Sequence, residues 1–187
     1  MKYRTILSLC DYTGIWSQPY RDAGYTVIQV DLEHGGDVRL LEHPGPVHGI
    51  IMQPPCTHFA GSGARWWKDK GEAALLDGLS VVDACLRFVA LCQPVWWVLE
   101  NPVGRLSRYL GPPAFTFDPC DFGDPYTKRT CLWGRFLPPL PLFVGEDRSV
   151  APTEGSKMHR LPPTPDRTAL RSITPAGFAR AFFEVNP

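Results

Sequence analysis

Residues 47–56, Val-His-Gly-Ile-Ile-Met-Gln-Pro-Pro-Cys, decide the fold. The apolar run at 47–52 predicts a buried strand, and the two prolines that follow it forbid its continuation as a central strand. Cys56 therefore comes directly after the carboxyl end of a predicted strand. A free cysteine is most often a small buried hydrophobe. The polar, glycine-rich residues 57–63 that follow are typical of a loop, which favours a reactive thiol at Cys56.

Strand-like and helix-like segments alternate along the first half of the chain, a pattern typical of a parallel sheet covered by helices. The helix at 70–93 is indicated by apolar residues that recur at steps of three and four. The fold class is therefore α/β, with a mostly parallel central sheet and helices on both faces. Further strands are predicted at 5–9, 26–30, 96–99, 114–117 and 129–133. Further helices are predicted at 17–23, with Ser17 as a candidate N-cap, and at 174–183, with Thr174 as the N-cap and Pro175 at the first helical position.

Length and composition favour one globular domain over 1–187, with a proline-rich, irregular segment at 136–170. The chain has no uninterrupted apolar stretch that could span a bilayer and no signal peptide pattern, so we expect a cytoplasmic protein. Its 19 basic and 19 acidic residues cancel, which removes the global attraction to phosphate common in nucleic-acid binders. The six cysteines lack Cys-x-x-Cys pairs and zinc-like spacing, so neither a metal nor a disulfide framework is expected.

A second polar tripeptide, Glu100-Asn101-Pro102, follows the predicted strand at 96–99. In open α/β sheets, ligands bind at the carboxyl ends of the strands, where both tripeptides lie. Pro54-Pro55-Cys56 and Glu100-Asn101-Pro102, in this order with a helix between them, resemble the cytosine-C5 DNA methyltransferase family. The resemblance covers residues 6–133 and resumes at the last helix. It implies a Rossmann-like, S-adenosylmethionine-dependent methyltransferase fold, and compact chains of this kind resemble bacteriophage proteins.

The resemblance implies covalent catalysis by Cys56. A thiolate that adds to carbon 6 of cytosine turns the ring into an enamine, which accepts a methyl group at carbon 5. Glu100 would protonate or hydrogen-bond N3 and N4, and burial would have to raise its pKa for a proton to be available. The alternative is a carboxylate that caps a loop. Asn101 is predicted to hold the shape of the turn, and we group it with the substrate-binding residues.

A cofactor site is predicted at the first two strand ends, because an acid after the second strand commonly binds a ribose diol. The resemblance implies S-adenosylmethionine, with Asp31 on the ribose and Asp37 on the adenine amine. Trp16 replaces the second glycine of the family's first turn and would pack against the methionine part. The alternative is a plain turn without a ligand. The candidate cofactor-binding residues are Asp11, Gly14, Trp16, Ser17, Asp31, Asp37, Val38 and Pro54.

Residues 123–130, Gly-Asp-Pro-Tyr-Thr-Lys-Arg-Thr, resemble the family's Gly-x-Pro-Gln-x-Arg-x-Arg stretch, which holds the base and the phosphate backbone. Lys128 falls on the first Arg and is grouped with the catalytic residues, whereas Thr130 falls on the second Arg. Tyr126 replaces the Gln, and Arg129 is either a compensating charge or solvated. Arg65 is a further candidate for nucleic-acid contact, and the tryptophans at 66 and 67 either stack on a base or pack in the core.

The segment between residue 133 and the last helix is too short for the target-recognition domain of full-length family members. The substrate that we expect is DNA, including single-stranded DNA. Because the target-recognition domain is missing, a partner protein or a second copy of the chain is one source of target recognition. Two alternatives stay open. One is modification of free cytosine nucleotides or RNA, with a modified S-adenosylmethionine as an alternative donor. The other is a non-catalytic nucleic-acid-binding relic of the fold.

Overall fold

The structure, a computed structural model, describes residues 4–142, 152–162, 164 and 167–187. One six-stranded sheet forms its centre. The strands are β1 (Thr5–Leu9), β2 (Thr26–Val30), β3 (Gly49–Met52), β4 (Trp96–Pro102), β5 (Phe115–Phe117) and β6 (Thr130–Arg135). The helices are α1 (Gln18–Asp22), α2 (Trp67–Cys92), α3 (Ser107–Leu110), α4 (Lys157–Arg160), α5 (Arg167–Ser172) and α6 (Ala176–Val185). All six predicted strands are present, and the ends of β1 and β2 are as predicted.

The strand order is β2-β1-β3-β4-β6-β5. Strands β1 to β4 run parallel, and β6 pairs antiparallel with both β4 and β5. Met52 lies opposite Leu99 in the β3–β4 register. After Met52 the chain leaves the sheet, whereas β4 continues through Glu100, Asn101 and Pro102, which pair with β6. Glu100 was expected to follow the strand, but it lies inside β4 because the antiparallel strand β6 extends the pairing. It still lies beside the loop that follows β3, near the carboxyl ends of the parallel strands where ligands bind in such folds.

Two apolar cores cover the two faces of the sheet, which confirms the α/β class with helices on both faces. Helix α2 covers one face through Val82, Cys85 and Phe88. The other face carries the aromatic residues of α6 and of the β1–α1 connection, where Trp16 packs edge-on against Phe178 and Phe182 at 5.0 and 5.3 Å between ring centroids. Aromatic pairs of this geometry stabilise a core beyond their buried area.

Two predicted helix caps are wrong in their contacts. Ser17 occupies the N-cap position of α1, but its hydroxyl donates to Asp11 Oδ2 at 3.0 Å instead of capping the helix. Thr174 was predicted as the N-cap of the last helix, whereas α6 begins at Ala176 with Pro175 at the N-cap. The Thr174 hydroxyl instead donates to Gln53 Oε1 at 2.7 Å, which ties α6 to the loop after β3. At Thr174 a partner distant in sequence replaces the local cap, whereas at Ser17 a residue of the same turn does so.

Helix α2 begins at Trp67, three residues before its predicted start, and Gly71 interrupts it with a non-helical φ of 72°. Only part of the segment at 136–170 can be compared with the prediction of irregular structure, because 143–151, 163 and 165–166 lie outside the described residues. The described part contains α4 and the start of α5, which the sequence did not predict. None of the helices in the described ranges has the length and apolar character needed to cross a membrane.

Candidate active site

A buried hydrogen bond joins the two motifs on which the sequence comparison rests. Asn101 is fully buried in β4, and its Nδ2 donates to the carbonyl oxygen of Pro54 at 2.9 Å. Asn101 thus fixes the position of the Pro-Pro-Cys loop relative to the next strand. This placement differs from the expected substrate contact, because the Asn101 side chain has no exposed surface. It agrees with the expected role in holding the turn.

The residues after Cys56 are bound to the segment that follows β4. Gly61 N donates to Val103 O at 2.8 Å, and Arg105 N donates to Phe59 O at 2.9 Å. At Gly104 the two segments approach so closely that a Cβ would collide with the carbonyl oxygen of Phe59. Gly104 is therefore required by close backbone packing, and the loop that carries Cys56 is held on both sides.

Cys56, Glu100 and Lys128 are each partly buried, and the charges of Glu100 and Lys128 both act on the Cys56 thiol. Burial, and secondarily the charge of Glu100, raises the pKa of the Cys56 thiol, while Lys128 and Arg171 act in the opposite direction. Burial also raises the pKa of the Glu100 carboxyl, and Lys128 opposes that shift. The structure therefore brings together the thiol, the acid and the cation that the sequence predicted as catalytic. A raised carboxyl pKa is what a proton donor near neutral pH needs.

A narrow cavity opens beside Glu100. Aromatic side chains line it together with polar groups of β4, of residues 128–130 and of residues 172–174. Its lining consists of Trp16, Glu100, Phe117, Lys128, Thr130, Ser172, Thr174, Pro175 and Phe178. Trp16 is fully buried, and its Nε1 has no hydrogen-bond partner among the described residues. A buried N–H without a partner is costly, so this one is available to a ligand that enters the cavity.

The turn after β1 is shaped from within. Asp11 is fully buried and accepts hydrogen bonds from Ser8 Oγ at 2.6 Å, Gly14 N at 2.8 Å and Ser17 Oγ at 3.0 Å. Gly14 has a φ of +67°, which favours glycine. The side chains of Asp11 and Ser17 are therefore committed to the turn, in contrast to the expected cofactor contact. At Asp11 and Ser17, any ligand contact would therefore come from the backbone.

The remaining candidate cofactor residues differ in how open they are. Asp31, directly after β2, is partly exposed, and among the described contacts its carboxylate accepts only a local bond from Glu33 N at 3.0 Å. Asp37 is engaged by Arg39, with 2.8 Å between Nη2 and Oδ2, and these hydrogen bonds lower the Asp37 pKa. Val38 and Pro54 are buried, so their side chains support the site from beneath.

Two of the predicted substrate-binding residues, Arg129 and Tyr126, have other side chains as partners. Arg129 donates to Thr116 Oγ1 at 2.9 Å and pairs with Asp118 at 3.3 Å, so its guanidinium is directed along β5 and does not compensate for the missing family arginine. Tyr126 is buried. Arg65 lies 3.9 Å over the ring of Trp66, which is 46% exposed. This pair forms an aromatic and cationic surface in the loop after Cys56.

Sequence reasoning missed Arg171. The Lys128 Nζ donates to the main-chain oxygen of Arg171 at 2.8 Å, and Arg171 Nη2 donates to Ser62 Oγ at 3.2 Å. Arg171 lies in α5, directly after the proline-rich segment, and no local motif marks it. Only the tertiary fold brings it to the loop of Cys56.

No family model matches the chain. A "Probable DNA (cytosine-5)-methyltransferase" of Frog virus 3 (isolate Goorha) is 28% identical over 122 residues, which cover 60% of this chain and 55% of that protein. The chain thus matches about half the length of this curated relative. Among solved structures, a candidate DNA modification methyltransferase from an E. coli prophage overlays with a TM-score of 0.49 at 18% identity, over 70% of this chain and 46% of that one. The viral relative confirms the resemblance to cytosine-C5 DNA methyltransferases that the motifs indicate.

Proposed function

We propose that this protein transfers a methyl group from S-adenosylmethionine to carbon 5 of cytosine in DNA, through a covalent adduct on Cys56. The observation that carries the proposal is the convergence of Cys56, Glu100 and Lys128 at one sheet edge, held by the bond from Asn101 to Pro54. The viral relative named for the same reaction supports the choice of DNA as substrate.

In the proposed reaction the Cys56 thiolate forms a bond to carbon 6 of the cytosine. Glu100 gives its proton to N3, so the displaced electrons do not build up as charge on the ring. The electron pair then available at carbon 5 forms the new carbon–methyl bond. S-adenosylmethionine supplies an electrophilic methyl group on a sulfonium when it is bound. The methyl–sulfonium bond breaks in this step, and its electron pair stays on the sulfur of the neutral thioether product. Water then takes the carbon 5 proton, the C–H electron pair forms the C5–C6 double bond, and the Cys56 thiolate departs with the electron pair of its bond to carbon 6. The N3 proton returns to Glu100, which restores the residue for the next turnover.

The electrostatics of the site couple these proton positions in the direction that the reaction needs. The charge of Glu100 is one cause of the raised Cys56 pKa. When Glu100 is protonated, this repulsion disappears, and the nearby Lys128 favours the thiolate. An acid on Glu100 and a thiolate on Cys56 therefore stabilise each other. That is the protonation state from which attack on carbon 6 begins.

The residues at the first two strand ends fit S-adenosylmethionine. The open carboxylate of Asp31 suits a ribose diol, and the unpartnered indole N–H of Trp16 suits an anionic group such as the methionine carboxylate. The Asp37 carboxylate is already paired with Arg39. To bind an adenine amine, it would have to accept a hydrogen bond from that amine in addition to those from Arg39.

The test is incubation of the pure protein with methyl-tritiated S-adenosylmethionine and, separately, duplex DNA, single-stranded DNA, RNA and cytidine nucleotides. We expect label in DNA that is recovered as 5-methylcytosine after hydrolysis. Label only in RNA or only in nucleotides would show that this molecule, and not DNA, is the substrate. Absence of label from every substrate would overturn the enzymatic proposal and favour a non-catalytic relic.

A further inference from the structure

The cationic side of the site departs from the pattern of the family. Where the family motif has two arginines, this chain has Lys128 and Thr130. Thr130 is buried, and its hydroxyl donates to the main-chain oxygen of Lys128 at 2.7 Å. Arg129, the adjacent guanidinium, is held along β5 by Thr116 and Asp118. Residues 123–130, the stretch that resembles the family motif, therefore supply one ammonium group to the site and no guanidinium.

A guanidinium reaches the same place from another part of the chain. Arg171 accepts the Lys128 ammonium on its main-chain oxygen, and its side chain extends to Ser62 in the loop after Cys56. Within the described ranges, neither Lys128 nor Arg171 forms an ion pair with a carboxylate. The charges of Lys128 and Arg171 thus both act on Cys56. Among the described residues, the side chain that Arg171 contacts is the neutral hydroxyl of Ser62.

The two cations differ in depth. Lys128 lines the cavity beside Glu100, whereas Arg171 is absent from its wall and is partly exposed, with Ser172 as its nearest neighbour in the lining. Cys56 is not part of the cavity lining, so a cytosine that reacts with Cys56 would lie between this thiol and the Glu100 side of the cavity. In that position its base lies on the side of Lys128, and its sugar-phosphate, at the surface, lies on the side of Arg171. A guanidinium binds phosphate oxygens with two parallel N–H donors, which a single ammonium does not reproduce.

We propose that Arg171 binds the phosphate of the target cytosine nucleotide at the rim of the cavity and so holds the base over Cys56. The inference rests on the proposed function, since it assumes a cytosine in a nucleic-acid strand. In the protein without DNA, Arg171 donates to the Ser62 hydroxyl. The phosphate replaces Ser62 as its partner when the nucleotide binds. Arg171, which lies in the shortened segment before α6, thereby makes the phosphate contact that residues 123–130 no longer supply.

The test measures binding of a single-stranded DNA oligonucleotide with one central cytosine, by fluorescence anisotropy over a series of salt concentrations. We expect Arg171→Gln to weaken binding by about tenfold or more, the loss typical of one charge-assisted hydrogen-bonded contact. The slope of log affinity against log salt should fall by about 0.7, the value for one phosphate contact on a single strand. Arg171→Lys should keep the slope and lose part of the affinity.

Two comparisons separate this contact from a general effect on charge or folding. Arg180→Gln removes the same charge from an exposed position on α6 and should leave both affinity and slope unchanged. A neutral methylphosphonate linkage next to the cytosine should weaken binding to the wild-type protein but not to Arg171→Gln. If Arg171→Gln is poorly folded by thermal melting, the neutral linkage is tested on Arg171→Lys, which keeps the charge but not the forked guanidinium. This variant should lose less affinity to the neutral linkage than the wild-type protein does, and an equal loss would overturn the inference.

An Arg171→Gln protein with the wild-type salt slope, or with full sensitivity to the neutral linkage, would overturn the inference while leaving the proposed function intact. A wild-type protein that binds no cytosine-containing strand would instead overturn the proposal of a DNA substrate, and this inference with it.

Discussion

The bond from Asn101 to Pro54 allows a prediction in which stability and catalysis can be separated. Asn101→Ala removes the Nδ2 donor and leaves the buried Pro54 carbonyl without its 2.9 Å partner. An unsatisfied buried acceptor costs about 1–3 kcal/mol. For a chain of this length, each kcal/mol lowers the melting temperature by about 2–4 °C, so we expect a decrease of about 2–12 °C.

Catalysis should suffer more than stability. The loop that carries Cys56 loses its attachment to β4, and a displacement of about 1 Å at a reacting group costs on the order of 100-fold in rate. We therefore expect kcat for methyl transfer to fall by about that factor at a temperature where the variant is fully folded. Differential scanning fluorimetry and a single-turnover methylation assay measure the two effects on the same samples.

Asn186→Ala is the matched control. Asn186 is also buried, and its Nδ2 donates to Leu137 O at 2.8 Å and to Phe182 O at 3.1 Å, far along the chain from the loop of Cys56. It should lower the melting temperature at least as much as Asn101→Ala and leave kcat unchanged. Equal losses of kcat in the two folded variants would refute the idea that the Asn101 bond positions Cys56.

Three further predictions concern Glu100, the cofactor site and the loop contact. Because burial raises the Glu100 pKa in the folded protein, its stabilising contribution is full below the unfolded pKa and is lost as pH rises through the folded value. Glu100→Gln should therefore abolish methyl transfer yet gain stability relative to wild type in melts from about pH 4 to about pH 8; a constant difference across this range would contradict the raised pKa. Asp31→Ala should weaken S-adenosylmethionine binding by about 10- to 100-fold in calorimetry, whereas the exposed Asp83→Ala should bind like wild type; equal affinities would refute the ribose contact. Gly104→Ala should cost about 1–3 kcal/mol in denaturant unfolding through overpacking, whereas Gly63→Ala, where a Cβ meets open space, should cost nothing.

The sheet and the placement of the proposed catalytic pair, Cys56 and Glu100, could be predicted because local signals define them. Strands β1 and β2 are short apolar runs bounded by turn residues, and prolines end the strand before Cys56. Two polar tripeptides near the ends of neighbouring parallel strands must lie close to the same edge, and the register of Met52 with Leu99 agrees with this. This reasoning needs no knowledge of contacts distant in sequence. The second tripeptide nevertheless belongs to β4, because its pairing with β6 depends on a strand that is distant in sequence.

The parts that could not be predicted depend on such distant contacts. The Thr174-Pro175 pair is a sound capping signal, yet Thr174 bonds to Gln53 because α6 packs beside the β3 loop. Asp11 was expected to face a ligand, but three donors from its own turn surround it. Arg171 carries no motif at all, since its place in the site depends on how the proline-rich segment returns to the sheet.

The most direct test of the central proposal is covalent trapping on Cys56. A DNA strand with 5-fluorocytosine, incubated with S-adenosylmethionine, should stop at the adduct because carbon 5 then has no proton to lose. We predict a stable protein–DNA complex whose peptide map places the attachment on Cys56, and no complex with Cys56→Ser. Attachment to another cysteine, or turnover by Cys56→Ser at the wild-type rate, would contradict the proposed mechanism.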